Sequence, residues 1–472
     1  MECHTVDIFI VLRYDLYIGR SYRPYQSVFE TKHKNQGGNP MKLKRVLAIA
    51  LSAVLMLAMV PLTSGAAEGD KVVKLTYYST SAEVNTMFEE MFVEYNKINP
   101  NVVIELIPTG VGQGQQEQLA ALYASGNAPT FMNIDPANAL EYADKLYVFD
   151  EGREKWLDTL AEGAIEAGKF DGKILGVPFS TQGFALNYNK RVVEAAIPGF
   201  DPATINTRDA LEDFFKKLEA AGVAPTMLHG ANWSLGAHYL GLVYAVQSPD
   251  TEGGKKFIEG LKDGSIDIAQ DKIFQGYMDT FDLLVKYNYN KADPLVADYN
   301  ADTQAFATGK CASFFMGDWS WTVIGALESK DTEFGFIPLP WSNDPNDYGN
   351  TQVVATMPKI MCVDVSQNTP EQQKAAVDML EWMLTKPEGQ EYFLKAGFSM
   401  PYTNLREVEY NSMTASVADY MARGKTINFG IFVYITGDVW AKTGDLMLKY
   451  VSGVIDRATL AQEINNYWRS AK

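Results

Sequence analysis

The stretch Val72–Pro108, VVKLTYYSTSAEVNTMFEEMFVEYNKINPNVVIELIP, decides the fold. Val72 to Ser79 is a β-prone run. After Ser81 the apolar residues Val84, Met87, Phe88, Met91, Phe92 and Tyr95 recur at three and four, as one face of a helix does. Ser81 is positioned to cap that helix, and Asn99-Pro100 stops it. Val102 to Pro108 reads as the next strand. Leu119 to Tyr123 then continues as helix, Gly126-Asn127 breaks it, and Phe131 to Ile134 is strand-like again. The order βαβαβ predicts an α/β fold with a largely parallel sheet and helices on its faces.

The middle of the chain keeps this grammar with longer helices. Thr207 should cap a helix that carries Leu211, Phe214, Phe215 and Leu218 on one face, closed by Gly222. Phe274 to Tyr287 is another. After a strand-rich stretch at Val353 to Val363, Thr369-Pro370-Glu371-Gln372 spells a capping box with proline in the first helical turn. Ala376, Met379, Leu380, Met383 and Leu384 would line the buried face behind it. With no low-complexity segment and no long flexible linker, two α/β domains joined by short crossings fit best.

The N-terminal part reads as an address. From Met41, MKLKRVLAIALSAVLMLAMVPLTSGA (41–66) has a basic start at Lys42, Lys44 and Arg45, an apolar run to Leu62 and a small-residue cleavage site at Ser64-Gly65-Ala66. The apolar run is shorter than the roughly 20 residues of a membrane span. Residues 1–40 have no export logic and read as an upstream extension from a start codon placed too early. The expected compartment is therefore extracytoplasmic, a periplasm or cell surface. No cysteine falls between Met41 and Cys311, so no lipid-accepting cysteine follows the signal.

Residues 1–66 hold 8 Lys and Arg and 4 Asp and Glu, which leaves 33 basic and 54 acidic side chains in the remainder, a formal charge of −21. That balance argues against nucleic acid and anionic lipid, both of which need a basic surface. In an oxidising compartment Cys311 and Cys362 could pair as a disulfide, with two unpaired buried thiols the simpler reading. His229 and His238 are the only histidines after residue 66, and no H-x-x-H or C-x-x-C spacing occurs, so no metal site or cofactor is expected.

Five segments in order resemble the family 1 extracellular solute-binding proteins, the sugar-capture components of ABC importers. They are YASGNAPTFMNID (123–135), DGKILGVPFSTQGFALNYNK (171–190), FATGKCASFFMGDWSW (306–321), FGFIPLP (334–340) and the helix-pair pattern from Ala376 to Pro401. Thr130 stands where the family usually has aspartate. The resemblance implies a two-lobed periplasmic-binding-protein fold of type II, with three hinge crossings and a ligand cleft between the lobes. By that analogy residues 71–180 plus 355–410 form lobe one and 181–354 plus 411–472 form lobe two, with Val177-Pro178-Phe179-Ser180 as the first hinge. The implied partners are a carbohydrate ligand and membrane permease subunits, with the chain itself a monomer and not an enzyme.

A sugar presents hydroxyls at its rim and C–H groups on its faces, so polar side chains and flat aromatics together hold it. Burying about 150 Å² of aromatic surface is worth up to about 4 kcal/mol. Trp319, after the Gly317-Asp318 turn, occupies the family's tryptophan position; packing in lobe two is its competing role, as for Trp321. Trp440 follows Gly437-Asp438, and Trp233 sits in the polar break Asn232-Trp233-Ser234. Trp382 and Trp468 have core spacing. For the polar rim the candidates are Ser79, Ser81 and Glu83 at the end of the first strand, Asp135 at the end of the third and Gln182 just past the hinge, because ligands of open α/β sheets lie at the carboxyl ends of strands. Ser81 and Asp135 have helix capping as their rival roles.

An oligosaccharide is the favoured cargo. A polyamine, ferric ion, amino acid or phosphate ester is the alternative, and a secreted glycosidase a more distant one; no G-x-S-x-G or other catalytic signature occurs.

Overall fold

The computed structural model describes residues 72–109, 114–328, 330–407, 409–431 and 438–471. The upstream extension 1–40 and the signal 41–66 lie outside the described residues. The chain opens with parallel strands β1 (Val73–Ser79), β2 (Val102–Pro108) and β3 (Phe131–Ile134), β1 lying between the other two. The helix Asn85–Ile98 buries Phe88, Met91, Phe92 and Tyr95 on them, the stripe its spacing dictates. Tyr77 of β1 is the hub of that face, with ring centroids 4.7 Å from Phe88 and 4.7 Å from Phe131. A two-stranded hairpin, β4 (Lys169–Phe170) with β5 (Lys173–Ile174), precedes β6 (Val177–Pro178), which joins the far edge of the same sheet.

From Pro178 the chain crosses to a second sheet, entered at β7 (Gln182–Asn189). Every residue of β7 is buried, because strands flank it on both edges and helices cover it. β8 (Met227–Leu228) runs parallel to β9 (Ser313–Gly317), whereas β9, β10 (Phe334–Ile337) and β11 (Val353–Thr356) are all antiparallel to β7. The alternating pattern predicts a parallel sheet here, and the structure corrects that: a hydrophobic run reports burial, and strand direction is set by how each crossover returns. β10 lies beside the helix Ser412–Ala422, whose Ser412 and Ser416 hydroxyls accept the Phe334 and Phe336 N–H groups at 3.0 and 3.1 Å.

The chain recrosses after Thr356. After three intervening residues β12 (Ile360–Val363) inserts between β3 and β6, antiparallel to both, so the first sheet runs β2-β1-β3-β12-β6. The helix Pro370–Thr385 that follows has the expected capping box, the Gln372 N–H donating to Thr369 Oγ1 at 3.3 Å and the Thr369 N–H to Gln372 Oε1 at 3.0 Å. A last crossing leads to the helix Ser412–Ala422 and to β13 (Thr426–Asn428), parallel to β11. At the crossings the Thr181 N–H donates to the Ser399 carbonyl at 2.7 Å and the Tyr402 hydroxyl to the Pro178 carbonyl at 2.8 Å.

Each sheet has its own apolar core, as two α/β halves require. Trp382 belongs to the first and Trp468, 1% exposed, to the second. Cys311 and Cys362 are buried free thiols on different sheets. No described helix is long and apolar enough to cross a membrane.

Candidate functional site

The carboxyl ends of β1, β2 and β3 form one polar wall. Asn133, at the end of β3, organises it. Its side-chain carbonyl accepts the Thr80 N–H at 2.7 Å, its carboxamide N–H donates to Ser81 Oγ at 2.8 Å, and its backbone carbonyl accepts the Thr80 hydroxyl at 2.8 Å. Thr109 donates to the Ser79 carbonyl at 2.9 Å. Ser81 therefore does not cap the helix with its side chain, contrary to the sequence expectation, because Asn133 takes its oxygen first. Ser79 and Ser81 are both buried, and the Ser79 hydroxyl turns back on the Ser81 backbone. This network holds the wall in place before any ligand arrives.

Charge on this wall converges on a residue the sequence reading missed. Lys359, in the short second crossing, binds Asp135 at 2.7 Å. Asp135 consequently does not cap the helix Pro136–Glu141, its other expected role. Burial holds the Glu83 carboxyl above its ordinary range, and its own backbone N–H and Lys359 offset part of that. A lone lysine between Pro358 and β12 has no motif around it, so only the fold shows that it serves two carboxylates.

The opposite wall belongs to the second sheet and is aromatic. Gly317 ends β9 in an extended conformation, and Asp318 and Trp319 begin the next turn. A Cβ on Gly317 would fall 1.9 Å from the Trp319 ring, so glycine is what lets the indole fold back over the strand end. Trp319 then meets the His238 ring at 4.9 Å and Phe184 at 6.2 Å. His238 meets Trp233 at 5.4 Å, and Trp233 in turn lies 5.3 Å from His229 and 6.1 Å from Tyr299. Trp319 and Trp233, 86 positions apart, are thus brought into one continuous surface, both half-buried.

Glycine also positions Trp440. Its helix, Val439–Val451, crosses the helical segment Trp233–Tyr239 so closely that a Cβ on Gly236 would fall 2.2 Å from the Trp440 carbonyl, and one on Gly444 2.1 Å from that of Asn232. Trp440 therefore lies near the start of a helix whose backbone touches Gly236, half-buried against the second core. Gln182 begins β7 opposite Thr356. Its neighbour Gly183 donates its N–H to Asp318 Oδ1 at 3.2 Å. Burial pushes the Asp318 carboxyl up to about 8, with the N–H groups of Gly183, Asp318 and Trp319 opposing it.

The two walls face each other. The helix Trp321–Ala326 of the second sheet packs on Ala82–Val84 of the first. The Tyr299 phenol is raised far above its ordinary range by burial first, then by Glu83 from across the gap, with Asp318 adding to it. His238 feels Lys359 in the same way. The Asn187-Tyr188-Asn189 run lies at the other end of β7 and is structural: Asn187 donates to the Met316 carbonyl at 2.8 Å and Asn189 caps the helix Lys190–Ala196. A surface groove of about 820 Å³ lies elsewhere. It runs beside β10 and the helix Ser412–Ala422 and contains none of the nominated residues, so the sheet ends remain the better candidate. Among the described residues no cluster of three His, Cys, Asp or Glu side chains is arranged to hold a metal ion.

Known proteins supply an independent frame. The model of the family described as bacterial extracellular solute-binding protein matches residues 90–422. The Mesorhizobium japonicum protein named "Probable sugar-binding periplasmic protein" is 27% identical over 217 residues, 45% of this chain and 49% of that one. The maltotriose-binding protein of Pyrococcus abyssi is 23% identical over 262 residues, 53% of this chain and 48% of that one. The chain thus spans about half the length of the curated relatives it matches. The structure of RafE in complex with raffinose superimposes with a TM-score of 0.69 over 84% of this chain and 99% of that one, at 20% identity. At that identity the likeness is one of fold, a two-lobed α/β architecture.

Proposed function

We propose that this chain, which belongs to the bacterial extracellular solute-binding protein family, captures a neutral carbohydrate between its two sheets and hands it to an ABC importer. The observation that carries the reading is the pairing of walls: Trp233, His238 and Trp319 on one side, Glu83, Asp135 and Lys359 on the other. Flat rings suit the C–H faces of a sugar and the polar wall its hydroxyls. Relatives that carry sugar-binding and maltotriose-binding names point the same way.

Trp319 and Trp233 supply the stacking faces in this reading, and Trp440 closes the surface beside Trp233. Glu83, Asp135 and Gln182 take rim hydroxyls. Ser81 still has a hydroxyl proton to donate, while Ser79 acts through the backbone it pins. Lobe one comprises 71–180 plus 355–410 and lobe two 181–354 plus 411–472, and the crossings between them act as hinges. Ligand that touches both walls favours the closed form by its differential affinity for it. The closed, monomeric chain is what permease subunits outside the cytoplasm would recognise, and no chemistry is performed on the cargo.

The aromatic rings would also suit a cation, so the test must include a polyamine. Thermal-shift measurements with raffinose, maltotriose, xylotriose, spermidine, amino acids and ferric ion decide between them. A shift with a carbohydrate alone supports the proposal; a shift with spermidine or iron and none with any sugar overturns it.

A further inference from the structure

We propose that His238 reads the ligand directly, its imidazole exchanging hydrogen bonds with sugar hydroxyls and so setting which hydroxyl pattern the cleft accepts. The inference rests on the carbohydrate reading above and extends it to a residue that no motif marks.

The backbone supplies the first argument. Trp233–Tyr239 is a π-helical segment. In an α-helix, residues five apart point about 140° away from each other. Hydrogen bonds from i to i+5 widen the turn and bring such residues toward the same side, and segments of this kind are frequent at functional sites. Here the widened turn presents Trp233 and His238 together, ring to ring at 5.4 Å. A regular helix over the same residues would separate them.

The surroundings supply the second. The His238 ring packs against Phe184, at 4.7 Å, and Trp319, at 4.9 Å, tilted by 38° and 44° to them. It is half-buried. No described residue makes a hydrogen bond to either ring nitrogen. His229, the other histidine of this wall, is the contrast: 2% exposed, with Nδ1 fastened to Asp302 at 2.8 Å. One imidazole is tied into the fold by a hydrogen bond; the other is packed against rings alone.

The electrostatics fit that role. Burial, and secondarily the positive charge of Lys359 across the gap, push His238 down to about 3. The ring is therefore neutral at physiological pH, with one nitrogen donating and the other accepting. A sugar hydroxyl both donates and accepts, so a neutral imidazole matches it where an imidazolium would not. Lys359 is the charged group that faces the ring; its other neighbours, Phe184, Trp233 and Trp319, are uncharged aromatics.

The test is calorimetric titration of the exported chain with raffinose, maltotriose and xylotriose, for wild type, His238→Phe and His238→Gln. Phenylalanine keeps an aromatic ring and removes both nitrogens; glutamine restores a donor and an acceptor. The expected result is a roughly tenfold loss of affinity in His238→Phe, the size of one or two ligand hydrogen bonds. His238→Gln should recover part of it, with ligand-free melting temperatures alike among the three. Equal affinity in wild type and His238→Phe overturns the proposal while leaving the carbohydrate reading intact. Loss in both variants together with a lowered ligand-free melting temperature also overturns it, in favour of a packing role. If wild type takes up none of the three sugars, the carbohydrate reading falls and this inference falls with it.

Discussion

The two walls of the cleft are built on opposite principles. The first sheet presents side chains already bound to one another: Asn133 holds Ser81 and Thr80, and Lys359 holds Asp135. The second sheet presents rings whose partners are other rings, brought together by glycines at positions 236, 317 and 444. A satisfied polar wall orients a ligand without gaining much free energy from it, since each new hydrogen bond replaces one to water. An aromatic wall gains from buried area and is indifferent to which hydroxyls a sugar carries. Affinity should therefore reside chiefly in the second sheet and discrimination chiefly in the first, with His238 as the aromatic wall's exception.

Substitutions can break this division of labour, and the largest effect should come from the rings. Trp319→Ala is expected to cost about 3 kcal/mol of binding, roughly a hundredfold in affinity, with little change in the ligand-free melting temperature. Gly317→Ala should follow at roughly tenfold. Its backbone φ is −98°, which any residue adopts, so the whole effect is the methyl's collision with the Trp319 indole. Tryptophan fluorescence of the ligand-free protein would shift in this variant if the ring has been displaced.

The charged wall should respond more mildly. Lys359→Met removes the partner of Asp135, in a pair whose side chains are 19% and 34% exposed. About 1 kcal/mol of stability is expected to go with it, by denaturant titration at pH 7. It should also move the Glu83 carboxyl further up, which carboxyl NMR titration would register. Ser81→Ala should be smallest, with affinity down by about two- to fivefold.

A pH experiment sharpens the same contrast. Asp318 titrates at about 8 when folded, against its ordinary value of 3.8. The folded state then holds a proton that the unfolded state has released between those values. Stability from this group is present below pH 4 and is lost as pH rises through 8. His238 works the other way: its folded value of about 3 lies below the ordinary 6.5, so its contribution is lost as pH falls from 6.5 toward 3. Asp318→Asn should flatten the fall in melting temperature between about pH 4 and 8, and His238→Phe the fall on acidification below 6.5.

Helix stripes and caps were legible in the sequence because they depend on local spacing. Thr207 and Thr369 cap as their motifs require, and Phe88, Met91 and Phe92 are buried as their periodicity demands. The antiparallel second sheet was not legible, since β7 draws partners from as far along the chain as Thr356. Trp319 and Trp233 could be nominated from their polar, turn-like settings. Lys359 and His238 could not: one sits in a three-residue crossing and the other is placed by a π-helical widening that no residue pattern announces. Ser81 and Asp135 illustrate a further limit, because sequence offers a cap and the fold supplies a stronger partner.

The most direct test of the central claim is calorimetric titration of wild type and Trp319→Ala with raffinose, maltotriose, xylotriose and spermidine. Saturable binding of at least one sugar by wild type, near micromolar, with roughly hundredfold weaker binding by Trp319→Ala, is what the two-walled carbohydrate cleft predicts. Heat from spermidine and none from any sugar, or sugar binding that Trp319→Ala leaves unchanged, would contradict it.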